Sequence, residues 1–150
     1  LLRQNEALCL SRVRMVRMFN EYLPALIAYF SYLASGVALL VVFAMLYSKV
    51  TPFDELALIR DGCTAAALSF GGALLGFSLA LASSALHVNK LEYFILWGAL
   101  AGVVQIAVYL FLTRCIKGMP QAIMENNVAV GILSGSISLA VGVMNAGCLS

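Results

Sequence analysis

Few side chains in this sequence have the type and spacing to do chemistry. The four cysteines, Cys9, Cys63, Cys115 and Cys148, lack the C-x-x-C spacing of redox and zinc motifs and have no histidine beside them. They read as small apolar fillers. His87, the one histidine, has no partner at metal-ligand spacing and falls in a polar connection, so it reads as a loop residue. H-E-x-x-H, G-x-S-x-G and paired carboxylates within apolar segments are missing. The sequence therefore predicts no catalytic, cofactor-binding or metal-ligating residue, no cofactor and no enzyme activity.

What remains is a set of small and neutral polar residues inside apolar stretches. Ser69, Gly72 and Gly76 form one series, Gly98, Gly102 and Gln105 a second, and Gly131, Gly135, Ser138, Gly142 and Asn145 a third. Their spacing of three or four puts each series on one helix face. Each contains a G-x-x-x-G pair, and Ala65, Ser83, Tyr109 and Asn127 extend the stripes, while Ser31, Ser35 and Ala38 make a weaker one. Such a stripe serves either close helix packing, with hydrogen bonds worth about 0.6 kcal/mol on average, or the lining of a narrow polar path. Packing is favoured, because transport paths usually recruit an ionisable group and these stretches hold none but His87 at an edge.

The elements that carry these stripes must be membrane spans. Hydrophobic residues make up 63% of the 150 and charged residues 11%, where a soluble domain carries about a quarter charged. There is too little polar surface for water to be the main solvent. Every Lys, Arg, Asp and Glu lies outside residues 22–48, 62–89, 93–113 and 126–150. A helix crosses the hydrocarbon core with roughly 20 residues, and a charge at its centre costs about 2.5–3.5 kcal/mol or more. The expected fold is an all-α membrane protein, a four-transmembrane-helix bundle with spans near residues 23–47, 63–86, 93–113 and 128–149. The alternating segments of about ten residues that a β-barrel needs are not visible. The first span is too long for a signal-peptide core. A net charge of +2 is too small to suggest nucleic acid.

Residues 1–17 form a basic leader, with Arg3, Arg12, Arg14 and Arg17 against Glu6, and the chain begins with Leu1. Either Met15 or Met18 is the natural start and the leader is not native, or the leader is a juxtamembrane segment drawn to anionic lipid. After the first span, Thr51 is expected as an N-cap, Pro52 as the first helical residue and Asp54 as the acidic partner of a capping box. Phe53, Leu56 and Ile59 would share one side of that short helix, with Asp54 and Asp61 on the other. The result is either an interfacial segment comprising Thr51, Pro52, Asp54, Glu55, Arg60 and Asp61, with Arg60 snorkelling, or a mere connector. Gly62 breaks it before the next span.

The short polar connection around His87, Asn89 and Lys90 makes spans two and three a hairpin. The third connection repeats the plan of the first, with Lys117, Pro120 and Glu125. A shift of 64 residues superposes Tyr29 on Tyr93, Ile59 on Ile123, Asp61 on Glu125 and Gly71 on Gly135. Two tandem two-helix repeats of the same orientation would relate by an axis along the membrane normal. Lys49, Arg60, Arg114 and Lys117 lie on one side and Lys90 on the other, so the long loops are expected in the cytoplasm and the termini outside. Counting the leader makes four against five, and that orientation is lost.

The run from Val50 to Gly62, VTPFDELALIRDG, resembles the YjfL-like family of small bacterial inner-membrane proteins, which is built on a duplicated domain of unknown function. So do AAALSFGGALLG from Ala65 to Gly76, NVAVGI from Asn127, and GVMNAG from Gly142 to Gly147. The resemblance covers about residues 18–150 and implies four spans in the bacterial inner (plasma) membrane. Relatives are often encoded near a membrane-coat protein and an ATP-grasp ligase, which implies a link to envelope maintenance.

The function expected is a non-enzymatic membrane module. It would lie in the lipid bilayer, form a homo-oligomer through its small-residue faces, and offer its loops to a cytoplasmic protein partner. The alternative is a small channel or transporter subunit with Gln105, Ser138 and Asn145 facing a pore.

Overall fold

The structure, a computed structural model, describes the backbone of residues 2–149 and the side chains of residues 19, 20 and 22–149. The basic leader and the proposed starts at Met15 and Met18 fall outside the described side chains. All described elements are helices: α1 (Leu2–Val50), α2 (Glu55–Arg60), α3 (Thr64–His87), α4 (Leu91–Cys115), α5 (Met119–Met124) and α6 (Val128–Cys148). Among the described residues, four segments are long and apolar enough to cross a membrane: Tyr22–Val50, Thr64–His87, Leu91–Cys115 and Val128–Cys148.

The chain divides into two compact units, residues 1–34 and residues 35–150. The first is the leading part of α1. In it Tyr29 meets Phe30 edge to face with ring centroids 5.4 Å apart, and Ser31 Oγ donates to the Ile27 carbonyl at 2.7 Å. That bond hides a hydroxyl within its own helix, which suits an element whose Leu26, Ile27 and Phe30 are exposed.

In the second unit, contacts along the helices fix their directions. From α3 to α6, Ala65 meets Gly131, Ser69 meets Ser134, Gly76 meets Gly142 and Ser83 meets Ala146, so the two run parallel. From α3 to α4, Leu81 meets Gly98, Phe77 meets Gly102 and Ala73 meets Gln105, so these run antiparallel. On the last part of α1, Phe43 stacks on Phe77 at 4.5 Å and Tyr47 packs on Phe70 at 5.5 Å. These pairs make that part antiparallel to α3. Both short helices therefore lie on one face of the unit, the loop face. The connection from Val88 to Lys90 lies on the other, the hairpin face.

The two loops share one backbone. Short helix, left-handed residue and next span recur 64 residues apart: α2 and α5 have six residues each, Gly62 (φ 84°) corresponds to Asn126 (φ 58°), and α3 and α6 start at Thr64 and Val128. Their capping bonds repeat as well. Gly62 N donates to Ile59 O and Cys63 N to Leu58 O, matched by Asn126 N to Ile123 O and Asn127 N to Ala122 O. This is the Schellman arrangement, in which a left-handed residue ends a helix and satisfies its last carbonyls. At the loops, the 64-residue shift read from the sequence recurs in the backbone.

One expectation is corrected. Thr51 does not cap α2 and Pro52 does not begin it. α1 runs on to Val50, and the Thr51 hydroxyl turns back on its end, within reach of the carbonyls of Tyr47 (3.2 Å), Ser48 (3.2 Å) and Phe53 (3.3 Å). Asp54 is the cap of α2, its Oδ1 accepting from Ala57 N at 3.1 Å. Starting α2 later turns Glu55 inward and leaves Leu56 exposed.

Candidate functional site

The seam residues lie where α3 meets α6 and α4. Gly72 lies against the backbone of Gly135, and Gly76 against that of Gly142. A Cβ on Gly131 would lie 2.6 Å from Ala65 Cα. Backbones approach this closely only where side chains are absent. Gly98 faces the side chains of Leu39 and Leu81, and Gly102 those of Phe77 and Phe43. Gln105 is buried, and its Nε2 donates to the carbonyls of Ser138 (2.8 Å) and Ala73 (3.2 Å). Ser134 Oγ donates to Ser69 Oγ at 2.9 Å. Ser138 is buried, and Asn145 is half-buried toward the hairpin face.

Seams and loops interlock at the loop face. Asn126 Oδ1 accepts from Ala65 N at 3.0 Å and is 3.6 Å from Cys63 Sγ, which also reaches the Ile123 carbonyl at 3.2 Å. Cys63 is the N-cap residue of α3 and makes no side-chain cap bond. The second repeat thus caps the first repeat's helix, while α6 is capped by its own Asn127, whose Oδ1 accepts from Val130 N at 3.3 Å.

Sequence reasoning placed Glu55 in an interfacial segment and missed its burial. Its relative exposure is 2%, although Asp54, Arg60 and Asp61 around it are exposed. Around the carboxyl stand Tyr47 from α1 and Tyr109 from α4, with Ser48 and Thr51 beside it and Ser69 beside the Tyr47 hydroxyl. The two tyrosine rings lie 5.0 Å apart. Burial pushes the Glu55 carboxyl from the ordinary 4.5 up to about 7, and the charge of Asp54 adds to the rise, against the pull of the Ser48 and Thr51 hydroxyls. Glu55 Oε2 and Tyr109 Oη are both buried without a hydrogen-bond partner. Ser48, Thr51 and Asp54 also line an open groove of about 700 Å³ with Val41, Met45 and Phe53. A signal did exist in the sequence: the 64-residue shift lays Glu55 on Met119, which is fully buried.

No group of three or more His, Cys, Asp or Glu among the described residues could hold a metal ion. The polar cluster occupies the loop-face half of the bundle. Beyond Gln105, α3 presents Phe77, Ala80 and Leu81 to the core before Ser84, whose buried Oγ also lacks a partner.

Four apolar helices, a doubled loop and a core closed by glycine define a multi-pass helical membrane protein. The chain belongs to the family described as Domain of Unknown Function (DUF350), whose model matches residues 20–149. It is 35% identical over 128 residues to the UPF0719 inner membrane protein YjfL of Escherichia coli strain K12, covering 85% of this chain and 97% of that protein. The protein of the same name from Escherichia coli O157:H7 matches to the same extent. No solved structure matches. The protein is thus a multi-pass inner-membrane protein, as its composition and its resemblance to the YjfL-like family implied.

Proposed function

We propose that the protein is a non-enzymatic membrane module that assembles with copies of itself and offers its loop face to a cytoplasmic protein partner in envelope maintenance. The observation that carries this reading is the closed seam. Glycine-to-glycine contact between α3 and α6 brings the backbones together, and Gln105, one of the residues that would face a path, is tied to two carbonyls. What the fold presents outward is then the loop face, with Lys49, Asp54, Arg60, Asp61 and Lys117 exposed. Four of the loop cations, Lys49, Arg60, Arg114 and Lys117, favour the cytoplasm for this face and the periplasm for the termini. Because the seams are occupied within the chain, self-assembly would use outer faces such as Val37, Val41 and Met45 of α1, which are exposed.

The test is crosslinking in native membranes followed by size measurement in mild detergent, with reconstitution into liposomes alongside. Dimers or larger species without solute flux are expected. A monomer that conducts ions or moves solute would overturn the reading in favour of a channel or transporter subunit. That second reading draws its support from the buried Glu55 carboxyl.

A further inference from the structure

We propose that Glu55 is a proton-binding site: the bundle takes its carboxyl in as a neutral acid, and α2 stays seated on the loop face while the proton is held. The inference goes beyond the module reading and does not rest on it.

The twin loop supplies the first argument. At the same place in the same backbone the second repeat carries Met119, 0% exposed, so the position is a buried socket in both repeats. The first repeat puts a carboxyl into that socket without a compensating cation. Glu55 has no ion-pair partner among the described residues, and Lys49, Arg60, Arg114 and Lys117 are all exposed. A carboxylate left in such a place is expensive, and the usual resolution is to neutralise it. An Oε2 without a partner is the mark of that mismatch.

Of the two hydroxyls beside the carboxyl, Ser48 can donate to the ionised form, while Thr51 fits the acid. The Thr51 hydroxyl has one hydrogen and stands within reach of three carbonyls around the end of α1. While that hydrogen is spent there, its oxygen can only accept, which suits a carboxylic O–H and not a carboxylate. To the extent that Thr51 turns to an ionised Glu55, it gives up a carbonyl. The titratable groups around the carboxyl are Tyr47 from α1, Tyr109 from α4 and Asp54 from its own loop, and Lys49 stands exposed in the wall of the adjoining groove. From α3 come Ser69 and Phe70, both against Tyr47. The C-terminal end of α1 adds negative potential and so favours the proton further.

The proton has a route in and none through. Ser48 and Thr51 stand both beside the carboxyl and in the wall of the open groove, so water on the loop face can deliver H⁺ to the carboxylate and take it back. On the inner side Phe77, Ala80 and Leu81 separate the cluster from the hairpin face. One carboxylate among hydroxyls is a poor set for a divalent metal, which seeks several charged or carbonyl oxygens. When the proton leaves, the carboxylate regains its solvation by turning out to water, and α2, which it heads, must loosen with it. Proton loss thereby reshapes the surface that a partner would meet.

The full chain in lipid nanodiscs provides the test. Infrared difference spectra through a pH titration should show a protonated carboxyl band that disappears around neutrality. The band should be absent from E55Q and E55M and present in D54N. Hydrogen exchange at the Ala57 and Leu58 amides, corrected for its intrinsic pH dependence, should speed up about tenfold or more on the alkaline side in the wild type. In E55Q and in E55M, which carries the residue of the twin loop, that extra step should vanish. A band that survives in E55Q overturns the proposal. So does titration in the ordinary carboxylate range, or α2 protection that ignores pH in the wild type. A midpoint moved by sodium against choline at equal ionic strength would take the site from the proton and give it to a metal cation.

Discussion

Glu55 and Met119 occupy one position in two copies of the same loop, and the difference has a thermodynamic sign. Because folding raises the Glu55 pKa from 4.5 to about 7, its seat contributes stability that is complete below about 4.5. That contribution falls as pH climbs from there and is lost above about 7. The full shift would amount to about 3 kcal/mol, and access of water to the groove reduces this to about 1–3 kcal/mol. In detergent, the thermal midpoint of the wild type should drop over that window while the Glu55→Gln curve stays flat by comparison. Glu55→Met should be the more stable protein at neutral pH by a similar amount. A wild-type midpoint that rises with pH across the window would sink the assignment. Little in the local pattern announces this residue. Phe53, Leu56 and Ile59 mark out an apolar side on which Glu55 has no place, but that wheel assumes a helix starting at Pro52. The extra turn of α1 and the cap at Asp54 shift the start, and caps depend on tertiary context that a short window does not contain.

At the scale of the helices, the small-residue stripes were legible in the sequence because their period is that of the α-helix. What each stripe meets was not, since a G-x-x-x-G face fits another helix of the chain or of a second copy equally well. Here Gly135 lies against the Leu68 carbonyl and Gly72 against Gly135, and a methyl group at either has backbone in its way. Gly135→Ala should therefore destabilise the folded chain by about 1–3 kcal/mol, the usual cost of overpacking. Gly71→Ala is the control: nothing lies within 4 Å of its added Cβ, and the gain in helix propensity is up to about 1 kcal/mol. Denaturant titration in mixed micelles should separate the two in sign, and equal effects would mean that the α3–α6 contact is not the one described. Gln105→Leu removes both bonds to the carbonyls of Ser138 and Ala73. Those carbonyls keep their own helical partners, so a loss of only about 0.6 to 1.7 kcal/mol is expected. A larger loss measured in the same titration would show that Gln105 does more than fasten helices.

For the molecule as a whole, duplication explains the loop face better than either loop does alone. Two copies in tandem would first have been alike, and they now differ where they touch. The left-handed position that ends each short helix is Gly62 in one copy and Asn126 in the other. Glycine takes that conformation at no steric cost, and asparagine is among the few residues that tolerate it. Asparagine also brings a side chain, which reaches the Ala65 amide and Cys63 thiol of the other copy. The α3 terminus, whose own cap residue gives no side-chain bond, is satisfied by this loan across the repeat boundary. Two variants separate the contributions. Asn126→Gly keeps the backbone and removes the cap, so it should cost about 1 kcal/mol. Asn126→Ala removes the cap and leaves a Cβ in the left-handed region without the polar side chain that lets asparagine tolerate it, so it should cost about 1–2 kcal/mol more than the glycine variant. Unfolding in detergent should rank wild type above Asn126→Gly above Asn126→Ala, and hydrogen exchange should report the loss first at the Ala65 amide, at the start of α3. If the alanine variant matched the glycine variant, the backbone at Asn126 would not be under the constraint that the doubled loop imposes. If the glycine variant matched the wild type, the Asn126 side chain would contribute nothing to holding the two repeats together.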